Sequence, residues 1–245
     1  MIQVKIFYAQ NDLRNFSYLI MDNHSGESWV IDPFDEEPII NYIKKEGIVL
    51  QGILNTHQHW DHIKGNEGLK SHCNCSVLNK STSPIDLDAT HQIQFIDTPG
   101  HTSDHQAFCW KKNHQMIGLF SGDTLFNGGV GNCKNGGNVE TLYETTMKLK
   151  EYPDHVVLYP GHDYILKNLL FAKTCEPENK DIDEALKLVR ESDTEQGLEW
   201  TLGQEKKINP FLRLDSQEIA EKVMDDKKPL ERHLFIKLRS MRDVW

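Results

Sequence analysis

The sequence predicts an α/β fold whose C-terminal part is helical, and three observations carry that expectation. First, four short apolar runs each end in a residue able to bind metal. Residues 50–56, "LQGILNT", enter His57; residues 93–100 enter His101; residues 116–122 enter Asp123; residues 156–161 enter His162. Runs of this length read as buried strands, and Gly or Pro closes the last three of them. Second, after about residue 165 such runs stop. Third, "PLERHLFIKLRSM" sets Leu230, Leu234, Leu238 and Met241 at helical spacing, with Pro229 near the start. "DSQE" at 215–218 reads as a capping pattern before another helix.

In open α/β folds the residues that act on ligands gather on loops at one edge of the sheet. The four strand endings therefore expect His57, His101, Asp123 and His162 at one place. The tripeptide "PGH" closes two of them, a weak hint of a repeated layout.

The first ending is the most specific. "THQHWDH" puts His57, His59, Asp61 and His62 within six positions. In extended chain His57, His59 and Asp61 would project to one side and His62 to the other. A turn into a helix starting near Asp61, whose carboxylate suits a helix N-terminus, would bring all four to one point. A single histidine is ordinarily a satisfied polar residue, and His24, His72, His91, His114, His155 and His233 are read so. His105 follows His101 by four positions and could hold a ligand in place.

Composition narrows the function classes. A formal net charge of -10 argues against a general nucleic-acid binder, which needs a basic face to displace counterions. No apolar run approaches the roughly 18 residues of a membrane span, and "MIQVKIFYAQ" lacks the pattern of a leader. Five irregularly spaced cysteines do not form a disulfide framework, and Cys73 and Cys75 lack the usual C-x2-C metal spacing. A cytoplasmic, monomeric protein is expected.

"THQHWDH", "DTPGHTSDH", "FSGDTLF" and "YPGHDYILKNLLFA", followed by "EPEN", "INPFLR" and "KLRSMRD", together resemble the metallo-β-lactamase superfamily and, within it, the glyoxalase II (hydroxyacylglutathione hydrolase) family. The likeness runs from "NDLRNFSYLIMD" to the C-terminus. It implies a four-layer αββα sandwich over residues 1–165 and a helical substrate-binding domain over residues 166–245. It also implies two divalent ions: His57, His59 and His101 on one, Asp61, His62 and His162 on the other, and Asp123 bridging them. Imidazole and carboxylate accept zinc, iron or manganese, and zinc is favoured here. Such ions bring the pKa of bound water towards about 7, so that a bridging hydroxide between Asp61 and Asp123 can attack a thioester without a Ser or Cys nucleophile. The implied reaction is hydrolysis of S-D-lactoylglutathione to D-lactate and glutathione.

For the thiol end, the resemblance carries over Tyr164, Arg239 and Arg242. Three positions apart on the last helix, Arg239 and Arg242 share a face, and guanidinium suits carboxylate. The loop "GGVGNCKNGGN" departs from the family: Asn132 stands where a Lys is expected, Lys134 lies near the position of a Tyr, and the loop is one residue longer. Two rivals have clear marks. A glutathione persulfide dioxygenase would hold one iron and lack the "INPFLR" tail. A di-iron electron-transfer protein would carry a carboxylate where Gln58 stands, together with a flavin domain.

Overall fold

The computed structural model describes residues 1–224 and 229–245. The first sheet has the order β1 (Ile2–Tyr8), β2 (Phe16–Asp22), β3 (Glu27–Ile31), β4 (Val49–Leu54) and β5 (Ser76–Val77). The first three strands are antiparallel; β4 and β5 run parallel to β3. All seven residues of β2 are buried, because both faces of the sheet are covered. Phe16, Tyr18 and Ile20 face inward. Leu19 and Met21, at the alternate positions, turn the other way onto α1 (Glu36–Glu46) and α3 (Asn66–Cys73), beside Ile39, Ile40, Ile43 and Leu69. Between β4 and α3 lies α2 (Trp60–Ile63), a single turn.

The second sheet is built from β6 (Ile85–Asp86), β7 (His91–Asp97), β8 (Gln106–Lys112) and β9 (Gln115–Gly122) as an antiparallel ladder. A small hairpin, β10 (Leu125–Phe126) with β11 (Gly129–Val130), stands apart from it. β12 (Val157–Pro160) pairs parallel to β9, and β13 (Trp200–Thr201) antiparallel to β12. The inner faces of the two sheets meet in one core, where Ile93, Phe95, Phe108 and Phe120 pack on Tyr18, Trp29, Ile31 and Leu54. Phe120 stacks on Tyr159 at 4.6 Å.

The outer face of the second sheet, through Ala107, Leu119 and Leu158, packs on α4 (Val139–Lys150), on Phe171 of α5 (Ile165–Cys175), and on Leu234, Phe235 and Leu238 of α9 (Glu231–Arg242). Helix, sheet, sheet and helix are thus stacked in four layers, as the metallo-β-lactamase resemblance implies. α6 (Lys180–Glu191) and α7 (Leu202–Ile208) form a further core with α5, and α8 (Gln217–Met224) joins α9.

The four predicted runs are β4, β7, β9 and β12, each ending a few residues short of, or directly before, its candidate ligand. Three details differ from expectation. β13 adds one two-residue strand after residue 165. Leu230 is exposed at 68%, and Phe235 takes the buried place beside Leu234 and Leu238, because the helix begins only at Glu231. The "DSQE" pattern is only half a cap: the Ser216 hydroxyl accepts from the Ile219 amide, whereas the Glu218 carboxylate accepts from the amide of Glu178.

Candidate metal centre and the adjoining cavity

Beyond β4 the chain leaves the sheet, makes an irregular turn through residues 55–59, and enters α2 with His59 at its N-cap. That turn carries His62 round to the side of its neighbours. The ring nitrogens converge: His57 Nε2 lies 2.9 Å from His59 Nδ1, His101 Nε2 lies 3.0 Å from the same His59 Nδ1, and His62 Nε2 lies 3.3 Å from His162 Nε2. Asp61 Oδ2 is 3.4 Å from His62 Nε2 and 3.5 Å from His162 Nε2. Asp123 faces both groups, with Oδ2 3.5 Å from His101 and Oδ1 3.4 and 3.3 Å from His62 and His162. The ligand atoms of His57, His59 and His101 lie within 4.8 Å of one another, and so do those of Asp61, His62 and His162.

This arrangement fits a pair of divalent ions. Ligands about 2.0–2.1 Å from a tetrahedral metal stand about 3.3 Å from each other, close to the spacings found here. Asp123 Oδ1 is buried without a hydrogen-bond donor, a state that costs free energy unless a cation faces it. The opposite ring nitrogens are already committed. His101 Nδ1 donates to the carbonyl of Asn132, His162 Nδ1 to that of Leu13, His59 Nε2 to that of Asn135, and His62 Nδ1 to Asp32 Oδ2. Each bond fixes the tautomer that leaves the inward nitrogen free to ligate.

The electrostatics agree. Burial alone would lower the pKa of His62, but Asp123, Asp32 and Asp61 around it raise it to about 9. Burial drives His57 and His101 down, and His105 well below the ordinary histidine value. Burial would raise Asp123, yet the surrounding imidazoles hold it well below the usual carboxylate range. His57 and His101 are thereby kept neutral, their inward nitrogens open to a cation, whereas on His62 the three carboxylates hold a proton that a bound cation would displace.

Two glycines are needed to assemble the cluster. Gly122 has φ +49, and a Cβ there would meet Thr56 Oγ1 at 2.6 Å and His105 Nε2 at 2.8 Å. A Cβ on Gly161 would stand 2.4 Å from Asp123 Oδ1. The glycine before His162 thus lets the β12 turn approach the Asp123 carboxylate.

His105 takes the supporting place: its Nε2 accepts from the Asp123 amide and its ring stacks on His57 at 5.1 Å. Residues passed over in the sequence hold the rest. Asp32 accepts from the Thr56 amide and hydroxyl as well as from His62, and Asn15 donates to Asp61 Oδ2 at 2.9 Å. Asp32 could have been found by the same signal as the ligands, since "ESWVID" is another apolar run ending in a carboxylate. Asn15 had no such mark. None of the six histidines read as ordinary joins the cluster among the described residues, and Cys73 and Cys75 pack against the first helix layer as free thiols.

A cavity of about 330 Å³ adjoins the cluster, lined among others by Phe126, Asn132, Lys134, Tyr164, Arg239 and Arg242. Two of its lining residues each touch a ligand: Asn132 through its carbonyl on His101, Tyr164 by stacking on His162 at 4.8 Å. All five expected thiol-end residues line it, but their donors are unequally available. Arg239 is buried and gives Nη1 to the carbonyls of Val130 and Gly131 and Nη2 to Asp243. Arg242 donates to Asn168, and Lys134 to the carbonyl of Asp243. Lys167, unnoticed in the sequence, also lines the cavity and has no partner among the described residues.

Comparisons with known proteins agree with this architecture. A family model described as metallo-beta-lactamase superfamily matches residues 11–82, and one described as hydroxyacylglutathione hydrolase C-terminus matches residues 163–245. The hydroxyacylglutathione hydrolase of Polaromonas sp. is 35% identical, with 99% of each chain covered. The Arabidopsis thaliana protein named hydroxyacylglutathione hydrolase cytoplasmic is 32% identical over 99% of each. Among solved structures, ETHE1 from Myxococcus xanthus superposes with a TM-score of 0.64 at 20% identity, covering 100% of this chain and 99% of that one. A metallo-beta-lactamase from Staphylococcus aureus also gives 0.64 at 20%, covering 98% and 72%. These two share the fold; the sequence relatives narrow the family. No helix among the described residues is long and apolar enough to cross a membrane. With near full-length identity above 30% joined to an intact His/Asp cluster of a kind that suits divalent metals, the chain belongs to the hydroxyacylglutathione hydrolases, thioester hydrolases of the metallo-β-lactamase fold.

Proposed function

We propose that the chain hydrolyses S-D-lactoylglutathione to D-lactate and glutathione with two divalent ions, zinc favoured, as a monomer in the cytoplasm. The observation that carries this reading is the position of the cluster, with all seven ligand candidates intact, beside a cavity lined by cationic side chains. Residues 1–165 serve as the catalytic domain and residues 166–245 as the substrate-binding domain.

His57, His59 and His101 would hold one ion, Asp61, His62 and His162 the other, and Asp123 both. When bound, the ions supply a water acidified towards neutral pH and an electrophilic contact for the thioester oxygen. Asp61 and Asp123 would accept hydrogen bonds from the attacking water and orient it. Attack on the acyl carbon breaks the carbon–sulfur bond, and the thiolate leaves without a strong general acid. Tyr164, Asn132, Lys134, Lys167 and Arg242 bind the glutathione moiety. Arg239 acts on the same cavity by holding the carbonyl of Val130, which lines it, and that of the adjacent Gly131.

Purified protein assayed on S-D-lactoylglutathione, with metal content measured on the same sample, tests the reading. The expected outcome is kcat/KM of about 10⁴ M⁻¹s⁻¹ or more, the lower end of ordinary enzyme efficiency, with close to two metals per chain. Two metals without turnover would move the substrate to another thioester. One iron with oxygen uptake would overturn the hydrolase assignment in favour of the dioxygenase.

A further inference from the structure

We infer that Arg14 is a positioning residue for one metal only, the ion assigned to Asp61, His62 and His162; the inference rests on the two-metal reading above. Residues 9–15 form a loop that closes on itself. The Ala9 amide donates to the Asn15 carbonyl, Asn11 Oδ1 accepts from the Arg14 amide at 2.6 Å, and Asn11 Nδ2 donates to Asn15 Oδ1. Arg14 sits one residue before the closing contact with φ 57, a left-handed conformation that a non-glycine residue adopts only when its surroundings hold it there.

On either side of Arg14 a neighbour reaches the ligands. The Leu13 carbonyl accepts from His162 Nδ1 at 2.8 Å, and Asn15 Nδ2 donates to Asp61 Oδ2. Asn15 also bridges to His162 through the backbone. Arg14 ties the same loop to the residue next to His162: its Nε donates to the Asp163 carbonyl, its Nη2 to Asp163 Oδ2 at 2.5 Å, and the Asp163 amide returns a bond to the Arg14 carbonyl. Asp163 is buried and takes a further bond from Thr194 Oγ1. The Arg14 guanidinium lies over the Tyr8 ring at 5.3 Å.

The other triad has no share in this clamp. His101 and His59 rest on the carbonyls of Asn132 and Asn135, in the loop on the far side, and His57 faces Thr56. Loosening the 9–15 loop therefore withdraws support from His162 and Asp61 while leaving His57, His59 and His101 as they were. A residue that merely stabilised the fold would affect both ions alike.

The test uses the full chain, stripped of metal and titrated with zinc against a chromophoric chelator, as wild type, Arg14→Ala and Arg14→Lys. The wild type should take two equivalents. Arg14→Ala should keep the first with unchanged affinity and bind the second about tenfold more weakly, the lower end of what loss of a supporting contact does to a metal site. Arg14→Lys, which restores the charge but not the two-pronged donation, should fall between, and it carries the test if the alanine variant does not fold. In Arg14→Ala loaded with one equivalent, the imidazole nitrogen resonances of His101 should move to their loaded positions while those of His162 stay at their metal-free ones. Two equivalents in the wild type with both, or neither, weakened in the variants would overturn the role of Arg14 alone. A wild type that binds a single equivalent would overturn the two-metal reading and this inference with it.

Discussion

The metal cluster and the cavity beside it are built on opposite principles. In the cluster nearly every candidate ligand is buried, its inward atom is free, and its outward atom is held by a backbone carbonyl or a buried side chain. In the cavity the candidate groups are present, but Arg239, Arg242 and Lys134 each give at least one donor to the protein, and among the cations only Lys167 stands without a partner among the described residues. The cluster is preorganised for a point charge. The cavity is shaped by its cations as much as it is charged by them.

The largest effect should come from breaking the link between the two triads. Asp123→Ala removes the one carboxylate that faces both, and turnover should fall by more than the roughly 10²–10³-fold typical of losing a single oxyanion donor, with metal content falling as well. Retention of two tightly bound metals would show that Asp123 does not join the triads.

Next is a group on the cavity side. Glu205 in α7 is fully buried and accepts from the Gly128 amide and from Asn127 and Asn209, tying the helical segment to the hairpin that walls the cavity. Burial raises its pKa from 4.5 to about 7 against the pull of these three donors. A carboxyl raised in the folded state holds its proton more tightly there than in the unfolded chain. Its contribution to stability is therefore complete below pH 4.5 and is lost as pH rises to about 7, by at most about 3 kcal/mol. Denaturant unfolding of metal-free protein across that window should show wild type losing stability relative to Glu205→Gln. Parallel pH profiles would mean that Glu205 is ionised throughout.

Supporting contacts in the cluster should matter somewhat less. Asp32→Ala frees the His62 ring and the Thr56 hydroxyl, and metal affinity should drop by about 10–100-fold, read by chelator competition. The smallest effects belong to the cavity. Lys167→Ala should raise KM several-fold, more at low salt than at high because the group is exposed, and leave kcat near wild type. A large loss of kcat with KM unchanged would place Lys167 in the chemistry and narrow the contrast between the two regions.

Much of the architecture is legible in the residues. The strand runs that became β4, β7, β9 and β12 are short and apolar, and Gly or Pro closes the last three, so local chemistry marks their type and most of their ends. The convergence of His57, His101, Asp123 and His162 follows because each lies just past such an end. Asp32 was missed although it carries the same mark, and Asn15 because a loop amide carries none. Leu230 was misplaced because helical spacing does not say where a helix starts; the first turn of α9 leaves that side chain in solvent.

By itself, then, the sequence determined the fold class and the residue types that can hold metal, since these depend on periodicity, turn residues and ligand chemistry within short stretches of chain, while its motifs carried the resemblance to the family. Only the tertiary structure decided which donors remain free. Arg239 is bound to loop carbonyls more than 100 positions away, and His162 is oriented by the carbonyl of Leu13 at a comparable separation. Backbone carbonyls are the same in every residue, so a partner of that kind leaves no trace in the sequence and appears only when the chain has folded.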